Sequence, residues 1–291
     1  MKADSYPVWH IRDGVLAAYD HTLIMGVLNA TPDSFSDGRR YATAQMAIER
    51  GIEMWHEGAD IIDVGGESTR PGADPVPFDK ELDRVIPVVA GLVGEGVTVS
   101  IDTMKAAVAA DAVAAGAHIV NDVTALRDPA MAAVCAQSGV GVVLMHMQGD
   151  PQTMQANPHY EDVVPEIVSY LESRAAVAVD AGIDRRNICL DPGIGFGKTH
   201  SHNLELLGNV ERFTDAGWPV LVGTSRKGVL GTILQNAGLD TIAGERDPAT
   251  AATVALAIAG GASVVRVHNV SHAFQAARVA DAIVRASQRR I

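Results

Sequence analysis

Short, nearly unbroken apolar runs recur at Leu23 to Leu28, Ile61 to Val64, Val97 to Ile101, Ile119 to Val123, Val140 to Met145, Ile188 to Leu190, Val220 to Val222 and Val264 to Val267. Runs of this length without alternation read as strands buried on both faces, the habit of a parallel sheet. Between them lie Ala-, Glu- and Arg-rich segments with helical spacing, such as Ala44 to His56, Ala106 to Ala115, Val163 to Ala181 and Ala249 to Ala259. These predict crossover helices. Eight such units in roughly 270 residues match a (β/α)8 TIM barrel, whereas a doubly wound sheet would more often carry a Gly-rich turn directly after its first strand. Ahead of the first barrel strand, Val8 to Ile11 and Val15 to Ala18 flank Asp13-Gly14, which predicts a small hairpin closing the barrel floor. With no repeat, linker or low-complexity tract, residues 1–291 read as one α/β domain.

The polar residues sharpen this picture. Followed to their C-terminal ends, the apolar runs finish in Asn29, Asp63, Asp102, Asn121, His146, Asp191, Ser225 and then Arg266 with His268. Asp and Asn also begin turns and cap helices, which accounts for any one of these endings. It accounts poorly for eight, and not for Arg266 or His268. In a barrel these ends converge on the face that carries the chemistry. Two long, polar, Gly- and Pro-punctuated connections, Thr31 to Tyr41 and Glu67 to Phe78, are candidate mobile lids on that face.

Composition excludes several classes of function. The chain has 47% hydrophobic and 20% charged residues, near the globular average, so it is neither disordered nor fibrous. Its net charge of −12 argues against general attraction to nucleic acid or anionic lipid, so an anionic ligand would need a local basic pocket. The absence of a 20-residue apolar run and of an apolar leader leads us to expect a cytoplasmic protein. Cys135 and Cys189 form no C-x-x-C pair and read as two buried thiols.

Asp102, Asn121, Asp191 and Lys227 suit a ring that displays adjacent N–H donors and acceptors, such as a 2-amino-4-oxopyrimidine. Two carboxylates equally suit a metal or an acid–base pair, and spacing does not separate these readings. Asn29, Arg70, Arg266 and His268 supply donors and positive charge suited to a phosphate or diphosphate. Arg266, set between valines in a strand, needs a partner, because an unpaired buried guanidinium is too costly. Lys198-Thr199 looks like the end of a phosphate-binding loop, but the first glycine of that motif would fall on Pro192. The glycines from 193 to 197 instead let the chain turn sharply after Asp191, with Phe196 over the mouth.

Taken together, Asn29 to Gly38 (Asn-Ala-Thr-Pro-Asp-Ser-Phe-Ser-Asp-Gly), Asp63 to Gly72, Ser100 to Thr103, Asn121-Asp122, Leu144 to Gly149, Asp191 to Lys198, Gly223 to Lys227 and Arg266 to His268 resemble the dihydropteroate synthases, in order and over nearly the whole chain. The resemblance implies a barrel enzyme of folate synthesis that joins 7,8-dihydropterin-6-ylmethyl diphosphate to 4-aminobenzoate and releases pyrophosphate, in a family inhibited by sulfonamides. Carried over by position, it implies a pterin pocket of Asp102, Asn121, Asp191 and Lys227 with Met145 near the ring. Arg266, His268, Asn29 and Thr69 would hold the diphosphate. Mg2+ would be bound by Asn29 and by Asp33 through the first loop. Phe35, Arg70, Pro71, Phe196, Ser225 and the stem of Lys227 would surround the aminobenzoate. A homodimer through helices of the later units is also implied.

Two rivals remain open: a methyltetrahydrofolate–corrinoid methyltransferase-like domain, which would share the pterin pocket but not use a diphosphate clamp, and a catalytically silent pterin-binding paralogue. Asn269 stands where the family pattern more often has Asp, and Arg39-Arg40 replaces a more Gly-rich loop ending.

Overall fold

The computed structural model describes residues 8–17, 21–30, 40–70 and 72–288. Asp33 and Phe35, with the rest of 31–39, and Pro71 lie outside the described residues. β1 (Val8–Ile11) and β2 (Gly14–Ala17) pair antiparallel, with Val8 opposite Ala17. Their turn is Arg12-Asp13, one residue earlier than Asp13-Gly14, and Asp13 takes φ +59°, a left-handed conformation that Asp tolerates better than most residues.

Eight parallel strands follow: β3 (Leu23–Asn29), β4 (Ile61–Gly65), β5 (Val99–Asp102), β6 (Ile119–Asp122), β7 (Gly141–Met145), β8 (Ile188–Asp191), β9 (Leu221–Val222) and β10 (Val264–Val267). The sheet order β8-β7-β6-β5-β4-β3-β10-β9 becomes a ring through one bridge between Leu190 and Val220. This is the expected TIM barrel. The strands agree with the apolar runs to within two residues at each end.

Ten helices among the described residues cover the ring: α1 (Arg40–His56), α2 (Phe78–Gly94), α3 (Ala106–Ala114), α4 (Pro129–Ser138), α5 (Val163–Asp180), α6 (His200–Leu207), α7 (Glu211–Thr214), α8 (Gly228–Asn236), α9 (Asp247–Ala259) and α10 (Val270–Gln288). Among the described residues none is long and apolar enough to cross a membrane. Local chemistry sets their starts. Asp128 accepts the Ala130 N–H ahead of Pro129, and Thr199 forms a reciprocal cap with His202 at α6. Thr199 therefore begins a helix, in keeping with the rejection of a phosphate loop there.

The main core lies between sheet and helices. A second cluster fills the lower barrel, where Leu23, Met25, Ile61, Ile119, Val143, Cys189, Leu221 and Val264 meet Trp9 and Ile11 of the hairpin. The Trp9 indole N–H donates to the Asn187 carbonyl at 2.8 Å. The hairpin thus closes the floor, and the opposite end is left for chemistry.

Candidate active site

The strand ends carry a charge network whose members are distant in sequence. Arg266 on β10 donates through Nε to Asp63 Oδ2 and through Nη2 to Asp102 Oδ2, both at 2.6 Å. Asn121 on β6 donates to the same Asp63 oxygen at 3.0 Å. Asp63 is 0% exposed, so without this guanidinium its charge would be stranded in the barrel. Burial pushes the Asp102 carboxyl up to about 7, although Arg266 pulls the other way. Arg266 itself is held charged despite its burial by Asp63 and Asp102. Asp102 Oδ1 has no protein partner among the described residues. It is a buried acceptor beside a cavity, which suits an N–H donor of a ligand.

This geometry revises the division of labour expected from sequence. Arg266 is not a free anion ligand standing apart from the pterin-side carboxylates, because two donors of its fork are committed to Asp63 and Asp102. Asp63 stands in the middle of β4, pointing into the barrel among apolar neighbours, and its role was missed because its partner lies 203 residues away. Asn121 spends its amide N–H on Asp63 as well.

Asp191 ends β8, where its Oδ1 accepts the Gly193 N–H at 2.7 Å. Burial raises its carboxyl above the usual range, opposed by Lys227, the Gly193 N–H, Lys198 and Arg266. The chain turns back at once: Gly193 has φ +66° and a Cβ there would sit 1.9 Å from the His146 carbonyl oxygen, so only glycine fits. Gly197 is held likewise against Gln148. Lys198, 3% exposed, fastens this turn from within, donating to His146 Nδ1 at 3.0 Å, the Phe196 carbonyl at 2.9 Å and the His146 carbonyl at 3.3 Å. Sequence reading discarded Lys198 with the phosphate loop and missed this positioning role. Above the turn, Lys227 donates to the Ile194 carbonyl and lies 4.5 Å over the Phe196 ring. Burial pushes its ammonium down to about 8, against the pull of Asp191.

Between β9 and α8, Arg226 adopts φ +62°, placing Ser225 and Lys227 either side of a left-handed residue. Asp247 holds that conformation by accepting from Arg226 Nε at 2.8 Å and Nη2 at 2.9 Å. Asn269 donates to the same carboxylate at 2.8 Å and caps α10 by accepting the His272 N–H at 3.1 Å. The departure from the family pattern therefore has a partner: an aspartate at 269 would set one carboxylate against another. Asn269→Asp is expected to cost about 1 to 3 kcal/mol in urea titration at pH 7. The loss should shrink towards pH 4 as the introduced carboxyl takes up a proton, Asp247 being held ionised by Arg226, and a loss that does not depend on pH would contradict this account.

A cavity of about 590 Å³ opens over these groups, bordered among others by Asn29, Thr69, Arg70, Asp102, Phe196, Lys198, Ser225, Lys227, Arg266 and His268. Asn121, Met145 and Asp191 are buried and do not border it. Met145 packs with Met147, Met154 and Phe196. Behind that lining, the Asp191 charge acts on Lys227 and Arg266, which do border the cavity together with Asp102. At its rim, Lys105 bridges Glu67 and the buried Glu81, anchoring the start of the second loop, and Arg84 donates to the Gly66 carbonyl at 2.7 Å.

The fold and this mouth define a pterin-binding barrel: the profile of the family described as "Pterin binding enzyme" matches residues 25–268. The chain is 45% identical to the dihydropteroate synthase of Bacillus subtilis over 97% of its own length and 95% of that protein's. With that of Escherichia coli it shares 43% identity, covering 92% and 94%. Among solved structures, Xanthomonas albilineans dihydropteroate synthase with 4-aminobenzoic acid superposes with a TM-score of 0.88 at 42% identity, covering 96% and 98% of the two chains. The Burkholderia cenocepacia enzyme complexed with 7,8-dihydropteroate gives 0.87 at 40% identity, covering 98% of each. The chain belongs to the dihydropteroate synthase family of transferases.

Proposed function

We propose that this mouth binds 7,8-dihydropterin-6-ylmethyl diphosphate and 4-aminobenzoate and joins them with release of pyrophosphate. The observation that carries the reading is the pairing of a buried, partnerless carboxylate oxygen, on Asp102, with the basic side chains Arg70 and Arg266 around one cavity. Asp102 would accept a pterin N–H group, Asp191, set behind the cavity wall, would favour the cationic pterin by its charge, and Lys227 would donate to the pterin carbonyl. The remaining donors of Arg266, with Arg70, Thr69 and His268, would hold the diphosphate. The 4-aminobenzoate would lie against Phe196, whose ring is already stacked under Lys227.

The reaction follows from that placement. When the methylene C–O bond breaks, its electron pair leaves with pyrophosphate and positive charge spreads into the pterin, where buried carboxylates favour it. The neutral aromatic amine then forms the C–N bond, and its proton passes to water or to the departing pyrophosphate. The chain's task is to align the amine with the methylene carbon and keep water out.

Magnesium belongs to this reading. Mg2+ uses few protein oxygens when it arrives on a diphosphate, and the Asn29 side chain borders the cavity with no partner among the described residues. Asn29 would therefore hold the ion, with Asp33 as a second ligand. The ion's contribution is to neutralise charge growing on the leaving group. The cytoplasmic setting is part of the same reading, in keeping with two free, buried cysteines. So is a homodimer: Leu256 on α9 and Val279 and Ile283 on α10 are 64%, 60% and 65% exposed, and Val279 and Ile283 are one turn apart.

Incubation with the pterin diphosphate, magnesium and aminobenzoate is expected to release pyrophosphate and dihydropteroate in equal amounts. A protein that binds pterin but releases nothing would favour the silent paralogue, and methyl transfer from methyltetrahydrofolate would favour the corrinoid rival. Sedimentation of the same sample tests the pairing of chains, since a species of single-chain mass at micromolar concentration would remove the homodimer.

A further inference from the structure

Among the described residues the Ser225 hydroxyl makes two contacts, both to His268. It accepts the His268 backbone N–H at 3.1 Å and lies 2.9 Å from the ring Nδ1. A serine hydroxyl offers one hydrogen and two lone pairs. If Nδ1 carried the ring proton, Oγ would accept twice and its own hydrogen would have no protein acceptor among the described residues, in a residue only 6% exposed. If Nδ1 is bare, every donor is used: Oγ takes the backbone N–H with one lone pair and gives its hydrogen to Nδ1. The ring proton then sits on Nε2, for which no protein partner is found among the described residues.

We infer that Ser225 is a positioning residue that fixes His268 with its proton on Nε2, so that the ring offers a donor to a phosphate oxygen. This rests on the reading of His268 as a diphosphate ligand. The distinction matters because the two neutral forms act in opposite ways: an Nε2 hydrogen attracts a phosphate oxygen, and an Nε2 lone pair repels it. A ring that is neutral at physiological pH makes the choice of nitrogen decisive. Burial and the nearby Arg266, Arg226 and Arg70 push the imidazole down to about 3, while Asp247 opposes them. The left-handed Arg226 that follows Ser225, pinned by Asp247, keeps the hydroxyl where it is.

The test is nitrogen-15 NMR of the ligand-free protein labelled at histidine, with His268 assigned by loss of its signals in His268→Gln. We expect one protonated-type resonance at Nε2 and one bare-type resonance at Nδ1. In Ser225→Ala the two should average towards a mixture, and pyrophosphate affinity should fall about tenfold, the scale of one hydrogen bond to an anion. Ser225→Thr, which keeps the hydroxyl, should restore both, and serves if the alanine variant folds poorly. A protonated Nδ1 in the parent protein, or an unchanged tautomer in Ser225→Ala, overturns the inference. Unchanged pyrophosphate affinity in His268→Ala, which leaves no donor, would instead overturn the diphosphate reading, because the NMR signature involves no ligand.

Discussion

Arg266→Met is expected to destabilise the protein by about 3 to 5 kcal/mol at neutral pH, the usual cost of stripping the counter-charge from buried carboxylates. Asp63 and Asp102 both rely on this one guanidinium, and neither can turn to water. The pH dependence has a definite sign. Asp102 sits at about 7 in the folded chain, above its ordinary 3.8. Between those values the folded protein keeps a proton that the unfolded chain releases, so this group's contribution falls as pH rises through that window. Removing Arg266 takes away a pull that lowers the Asp102 value, so the variant's window extends further into alkali. Urea titrations should therefore show a penalty that is smallest near pH 5 and grows to pH 8. A penalty below about 1 kcal/mol, or one equal at both ends, would mean the network does not carry this charge balance.

Gly193→Ala should be the most damaging single-methyl change at the mouth. A left-handed backbone costs a non-glycine residue roughly 1 to 2 kcal/mol before any contact is considered. Here the added carbon would also fall 1.9 Å from a backbone oxygen at the end of β7, an atom that moves only if the strand end moves. We expect a stability loss of about 2 to 4 kcal/mol, together with a pterin affinity at least tenfold weaker, since the Gly193 N–H orients Asp191. Gly195→Ala is the control. Its Cβ would meet only the flexible stem of Lys227 at 3.1 Å, so its loss should be smaller. Equal losses in the two variants, by thermal denaturation and pterin titration, would sink the argument.

Much of this was legible in the chain because burial on both faces writes parallel strands as apolar runs, and because a barrel gathers its strand ends on one face. Asn29, Asp102, Ser225, Arg266 and His268 were found this way, before any coordinates. What was not legible is which polar groups satisfy one another. Arg266 and Asp63 meet only after ten strands have been laid out, and nothing in either local segment announces the other. Lys198 was hidden differently, since its neighbours suggested a phosphate loop while its real acceptors are two carbonyls and a ring nitrogen inside the turn. The Asn269 departure has its reason in Asp247, 22 residues away, which nothing in the local segment names.

The ring is most thinly laced beside β9. That strand contributes two residues, meets β10 over two pairs, and reaches β8 only through the Leu190–Val220 bridge. Backbone held by so few rungs opens locally at lower free energy than its neighbours. The thin stretch runs between Asp191 on one bank and Ser225 with Lys227 on the other, so the mouth can widen there without unstitching the remaining strands. A cylinder with one loose stave gives first along that seam.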